Sequence, residues 1–138
     1  MNRFAQPADP FAYLAKEIAP GLVLHLDPDT LLEHEATVTG RPECRVQGRH
    51  SFLCVEVTGD DSQWCPLFSR PGPNRVELPR SGRRGHRAWV EGTSHLHPSQ
   101  VWTVSTDAVV AAAKNGGDKS TPRQRNWLDE NDLPDLAA

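Results

Sequence analysis

The chain has 138 residues, of which 37% are hydrophobic and 24% charged, with a formal net charge of −3. That length suits one domain with a packed core rather than two, and the composition is not that of a fully disordered chain. No apolar run approaches the about 18–20 residues of a membrane helix, no period recurs, and Met1 to Pro10 lacks the layout of a secretory signal, so we expect a soluble, cytoplasmic protein without a membrane partner.

In chain order, the first expected element is a helix. Asp9 is its cap, Pro10 suits its first position, and Phe11, Leu14, Ala15 and Ile18 fall at i, i+3, i+4 and i+7. Pro20-Gly21 stops it, Gly21 to Leu26 reads as a strand, Asp27-Pro28-Asp29 as a turn, and Leu31 to His34 as one helical turn. From His50 to Thr58 the residues are mostly apolar or β-branched, a strand that turns at Gly59 to Ser62 and returns over Gln63 to Phe68 as a hairpin. Arg70 to Asn74 is a loop, since two prolines flank a glycine. A short strand over Arg75 to Leu78 and a Gly- and Arg-rich loop over Pro79 to His86 follow. Strands over Arg87 to Glu91 and Gln100 to Val104 complete the set, separated by Gly92 to Ser99. A final helix is capped by Ser105 or Thr106, filled by Val109 to Lys114, and stopped by Asn115-Gly116-Gly117.

About six short strands joined by tight turns predict a mainly β (α+β) domain, a small antiparallel barrel or sandwich with a helix at each end. The organisation expected is an N-terminal helical extension over 1–19, a β domain with its closing helix over 20–114, and a polar, acidic, flexible tail over 115–138. In that tail, Trp127-Leu128 precedes Asp129, Glu130, Asp132 and Asp135, with Leu133 and Leu136 interleaved. It reads either as a solvated tail or as an acidic segment with apolar anchors that docks into a groove, its own chain's included.

The net charge conceals an uneven distribution. Residues 1–40 sum to −4, residues 41–100 to +3 and residues 101–138 to −2, and 12 of the 15 basic residues are arginine. A basic middle third between acidic ends points to a local anion-binding surface rather than a uniformly basic nucleic-acid binder. Arg70, Arg75, Arg80, Arg83, Arg84 and Arg87 lie between Ser69 and Arg87 with Glu77 as the only acid. They read as a phosphate-binding rim or as ordinary solvated loops. Trp64, Trp89 and Trp102 read as core residues or as base-stacking platforms.

Cys44, Cys54 and Cys65 are an odd set and read as reduced thiols. Six histidines include His95 and His97 on one face of an extended segment, but no closely spaced cysteine pair completes a zinc site. No cofactor or metal is expected, and there is no phosphate-binding glycine loop or nucleophile elbow. Histidines beside arginines suit RNA cleavage by the 2′-hydroxyl, which needs a base, an acid and cations around the developing charge. Arg49-His50 and His86-Arg87 each offer such a pair.

The order of elements from Pro20 to Ala113 resembles the PemK/MazF toxin barrels, mRNA endoribonucleases of toxin–antitoxin modules. The residues carrying the resemblance are Gly21-Leu22-Val23-Leu24-His25-Leu26, Arg49-His50-Ser51-Phe52-Leu53-Cys54-Val55 and Trp64-Cys65-Pro66-Leu67-Phe68-Ser69. Gly92-Thr93-Ser94 and Gln100-Val101-Trp102-Thr103-Val104 before the helix extend it. It implies an SH3-like, PemK-like β-barrel, a symmetric homodimer with RNA crossing the interface, and an acidic antitoxin segment in the same groove. It implies Arg49 as the cationic acid or phosphate clamp and Ser69 as a surviving hydroxyl, in a metal-independent reaction yielding a cyclic phosphate. His50 as the base is our own inference.

Two positions depart from the family's pattern, His50 where a proline follows the arginine and Phe68 where a threonine precedes the serine. The expectation is therefore an RNA-binding barrel with a degenerate ribonuclease site. The alternative is a non-catalytic protein-interaction module on the same scaffold, such as a phage or mobile-element accessory protein. The partner expected is RNA or an acidic protein segment. The resemblance also implies that Trp127 to Leu136 imitates the antitoxin segment on the chain's own basic face. The end, Leu136-Ala137-Ala138, resembles a bacterial protease-recognition tag.

Overall fold

The computed structural model describes residues 9–122 and 124–134; the expected Leu136-Ala137-Ala138 tag, with Asp135 and Leu136 of the acidic segment, lies outside the described residues. Among these residues the chain forms an antiparallel sheet with short helices against it, and no helix is long and apolar enough to cross a membrane.

The first helix is shorter than its periodicity predicts. Asp9 Oδ1 accepts from the Phe11 N–H at 2.9 Å, and the N–H groups of Ala12, Leu14 and Lys16 reach back only three residues. The chain therefore runs through tight turns, and α1 is confined to Leu14–Glu17. Its apolar residues still face inward, with Leu14 fully buried and Phe11 and Ile18 packed on the core.

Strand β1 (Leu22–Leu26) follows Gly21, whose φ of +101° and contact with the Leu128 carbonyl exclude a side chain. Asp27, expected in a turn, caps α2 (Pro28–Glu33), accepting from Thr30 Oγ1 at 2.6 Å, with Pro28 at the first position. Strand β2 is Thr37–Val38. The predicted hairpin is present as β3 (His50–Thr58) and β4 (Asp61–Phe68), with a bulge between Cys54 and Glu56.

Strand β4 changes partner along its length. Asp61 to Trp64 pair with β8 (Trp102–Ser105), whereas Leu67 and Phe68 pair with β7 (His95–Leu96). Pro66, which has no N–H to give, sits at that break. Strand β5 (Val76–Glu77) pairs with β7. The longer path runs β2-β8-β4-β3-β1 and on through β9 (Asn126–Leu128) to β6 (Arg83–Arg84), so the sheet has nine strands rather than six and its path is open, ending at β2 and β6.

Three expectations are corrected. Arg87–Glu91 is not a strand but a helix, α3, because five residues cannot establish a period. Here the His86 ring caps the Ala88 N–H, and Arg87 pairs with Glu91 across one turn at 2.8 Å. Within the expected Arg-rich loop, Arg83–Arg84 form β6. Within the expected flexible tail, Asn126–Leu128 form β9, which joins β1 to β6. The closing helix α4 (Thr106–Asn115) is as predicted, with Ser105 Oγ accepting from the Ala108 N–H at 3.2 Å.

Alternation along the strands builds two cores. Leu22, Leu24, Leu26, Phe52, Cys54, Trp64 and Trp102 face α1, α2 and α4. Val23, Leu53, Cys65, Leu67, Leu96 and Leu128 face the other way, toward Trp89, Val101 and Leu133. With both sheet faces covered, the central strands read as unbroken apolar runs. Trp64 and Trp102 are fully buried, and their indole N–H groups donate to Ser62 Oγ and Gln100 Oε1 at 2.7 and 3.0 Å. They are core residues, unable to stack a ligand. Cys54 and Cys65 are buried thiols, pushed up to about 12 by desolvation, and Cys44 is an exposed one.

The ends are joined by a buried ion pair. The Arg125 guanidinium, with no side-chain exposure, donates to both Glu17 carboxylate oxygens at 3.1 Å, to the Ser120 carbonyl at 2.7 Å, and to the Pro10 carbonyl. Removing Glu17 strands a buried charge. We expect Glu17→Ala to cost about 3 kcal/mol in urea denaturation, against about 0.5 kcal/mol or less for the exposed Glu33→Ala.

Candidate nucleic-acid interface

The register of the central hairpin assembles the site. Phe52 opposes Pro66, so the start of β3 lies beside the end of β4, and the His50 and Phe68 rings stand 4.9 Å apart. Here Arg49, His50, Ser69, Arg70 and Arg75 line one cavity of about 350 Å³, and no carboxylate is among its described lining residues. Five residues singled out from the sequence, from the two ends of one hairpin and the loop after it, are thus brought together.

Phe68 gives this cavity its shape. The Arg75 guanidinium carbon lies 3.7 Å from the Phe68 ring centroid, and Arg75 Nη1 donates to the Arg70 carbonyl at 3.1 Å. A stacked, hydrogen-bonded guanidinium is held in place before any anion arrives. None of Arg49, Arg70 and Arg75 is in ion-pairing distance of a carboxylate among the described residues. Their charge is available to a ligand.

His50 is in the cavity wall but is poorly suited to take a proton from a ligand. Its Nε2 is buried and has no hydrogen-bond partner. Burial lowers its pKa, the Leu67 backbone opposes that shift, and His25 and Arg75 add to it. The ring is a neutral wedge between Phe52 and Phe68, at centroid distances of 6.1 and 4.9 Å.

The six loop arginines do not form one rim. Arg83 is buried and donates to the carbonyls of Leu78, Pro79, Trp89 and Gly92 at 2.6–3.1 Å, with its guanidinium carbon 4.5 Å from the Trp89 ring. It satisfies carbonyls that the strands leave unpaired, so it organises the loop instead of meeting a phosphate. Desolvation lowers its pKa, with Arg80 adding and Glu77 opposing. Arg80 donates to the Gly92 carbonyl and Thr93 Oγ1 at 3.2 and 2.9 Å. Arg84 lies over Trp127, and Arg87 is paired to Glu91. Only Arg70 and Arg75 of the six line the cavity with Arg49.

Behind this cavity lies a larger one, about 740 Å³, whose lining includes His25, Arg49, Ser51, His86, Trp89 and Lys119. The sequence reading did not single out His25. The available signal was a lone imidazole inside Leu22-Val23-Leu24-His25-Leu26, on the face opposite the leucines. His25 Nδ1 is 2.8 Å from the Gly116 carbonyl, and the His25 N–H donates to Asp118 Oδ2 at 2.7 Å. The start of the tail thereby walls this cavity. Trp127 and Leu128 sit in the sheet instead of crossing the basic cavity, and the Asp129 N–H donates to the Gly82 carbonyl at 2.7 Å. No described tail residue lines the Arg70–Arg75 cavity.

No protein-family model, curated protein or solved structure matches the chain.

The lowered His50 pKa has a signed consequence. The unfolded chain takes up the His50 proton near pH 6.5 before the folded chain does, so stability is complete above that value and declines below it. In urea titrations between neutrality and mild acid, His50→Phe should lose less stability than the unsubstituted chain; equal losses would assign the acid sensitivity elsewhere.

Proposed function

We propose that this chain binds single-stranded RNA, with the Arg49–Arg70–Arg75 cavity gripping its phosphates on a PemK-like scaffold. One observation carries the reading: among the described residues, three guanidiniums without a carboxylate partner and the Ser69 hydroxyl converge on one cavity whose lining has no acid. Arginine forks match phosphate oxygens, and such contacts supply sequence-independent affinity. A cavity of about 350 Å³ suits single groups of an unpaired strand rather than the face of a duplex, since single strands present splayed bases and phosphates one at a time.

Binding without efficient cutting is the form of this reading that the residues favour. Phe68 replaces a hydroxyl with a ring that props Arg75, and the enclosed Nε2 leaves His50 no route to a substrate hydroxyl. The ribonuclease reading would use Arg49 as clamp or acid and Ser69 as a hydroxyl donor. An acidic protein segment is the rival occupant of the same cavity.

The test is fluorescence anisotropy with a mixed-sequence oligoribonucleotide in EDTA across a salt series, followed by mapping of any cut ends. Arg70→Ala and Arg75→Ala should each weaken binding across sequences and reduce the salt slope by about 1. Arg87→Ala, which removes a cation already paired to Glu91, should change the affinity least. Salt-sensitive binding without cuts supports the binding module; cuts lost in Arg49→Ala would establish the ribonuclease. Absence of both would remove RNA from consideration.

A further inference from the structure

The tautomer of His25 is readable from its partner. A carbonyl oxygen can only accept, so in the neutral ring the bond to Gly116 places the hydrogen on Nδ1 and leaves the Nε2 lone pair bare. Nε2 is neither buried without a partner nor hydrogen-bonded among the described residues. The ring is held firmly. Gly116 is the buried end of α4, where an added Cβ would lie 2.5 Å from the His25 carbonyl, and Asp118 grips the His25 N–H. A fixed acceptor therefore stands on a residue that lines both cavities.

The rest of the larger cavity's wall offers donors. His86 Nδ1 accepts from the Ala88 N–H at 3.3 Å, which leaves its neutral ring an Nε2–H to donate. Asn126 Oδ1 accepts from the His86 N–H at 2.7 Å, so its amide nitrogen is the group left over. Arg49 and Lys119 add positive charge. Asp118 is the one acid among the described lining residues, and its two oxygens already accept from the His25 N–H and from the Ser120 N–H and hydroxyl. Trp89 closes the cavity. Its Nε1 donates to the Trp127 carbonyl at 3.0 Å and Arg83 sits against its ring, so the indole is immobilised.

A ligand that satisfies this set carries an anionic group, a hydroxyl and a flat ring. The volume falls within the about 300–1,000 Å³ usual for small-ligand sites, and His25, Arg49 and Ser51 line both this cavity and the arginine cavity. We propose that the larger cavity receives one unpaired nucleotide of the bound strand, its base against Trp89 and its 2′-hydroxyl donating to His25 Nε2. Arg49, at the shared border, holds the phosphate that connects the two cavities. The proposal rests on the RNA reading above and adds a selector: His25 distinguishes RNA from DNA, because the 2′-hydroxyl is the donor that DNA lacks.

Affinities of a mixed-sequence oligoribonucleotide and its 2′-deoxy counterpart, measured in EDTA, test it. The ribose strand should bind about fivefold more tightly, the worth of one neutral hydrogen bond. His25→Phe should bring the ribose strand down to the level of the deoxy strand, whereas Trp89→Leu should weaken both by about tenfold through lost stacking. Should His25→Phe fail to fold, nitrogen NMR of the unsubstituted protein takes its place. The His25 Nε2 resonance should move with the ribose strand and stay in place with the deoxy strand. Equal affinities, with Arg75→Ala still weakening both, would overturn the nucleotide pocket while leaving the arginine cavity standing. Equal movement of the resonance with both strands would overturn it too. No binding of either strand would overturn both readings together.

Discussion

The structure depends on a charge that has been taken out of water. Arg125 has no exposed side-chain surface, and desolvating a guanidinium is tolerated only where its donors are matched. Glu17 supplies the countercharge and two acceptors, and the Pro10 and Ser120 carbonyls supply more. This joins segments more than a hundred residues apart in sequence. It also fixes the approach of Asn126–Leu128, which lies beside β1 and carries β6 on its far edge. The N-terminal segment and the first part of the tail are thereby structural members of one domain, not appendages to it.

From β6 the order is transmitted by a second buried guanidinium. Arg83 binds four backbone carbonyls and packs on Trp89, which sets the course of the loop from Leu78 to Gly92 and with it α3. His86 and Trp89 reach the wall of the larger cavity as a result. Two arginines thus hold the scaffold through hydrogen bonds to carbonyls, while Arg49, Arg70 and Arg75 have no carboxylate partner among the described residues at the adjoining site. The same side chain performs both tasks because its planar fork suits carbonyl and phosphate oxygens alike. Burial decides between them: a guanidinium enclosed by carbonyls is structural, and one at an open cavity meets a ligand.

Phe68 shows how one ring organises its surroundings. A ring at this position cannot donate a hydrogen bond, yet it stacks with Arg75 on one side and packs against His50 on another. His50 becomes a neutral wedge with an enclosed nitrogen. The base-like atom of the neighbourhood is instead Nε2 of His25, which the Gly116 carbonyl orients from behind.

Much of the central fold was legible in the sequence. The β3–β4 hairpin, β1, α4 and its Ser105 cap follow from periodicity, β-branched content and turn residues, which are local signals. The convergence of Arg49, His50, Ser69, Arg70 and Arg75 was also within reach, because hairpin register carries the two strand ends to one place. The shortest elements were not legible. Arg83–Arg84 forms a strand only by pairing with Asn126–Leu128, which in turn takes its other hydrogen bonds from β1. Arg87–Glu91 is too short for any period to speak. Nor could composition divide the arginines, since burial and acceptor geometry are properties of the assembled loop. By itself the sequence determined a mainly β domain with a basic centre and a closing helix. Only the tertiary structure decided which cations are enclosed, which remain available, and how His25 is held, because each depends on acceptors placed by the folded chain: the carbonyls of its own loop around Arg83, Glu17 against Arg125, and Gly116 against His25.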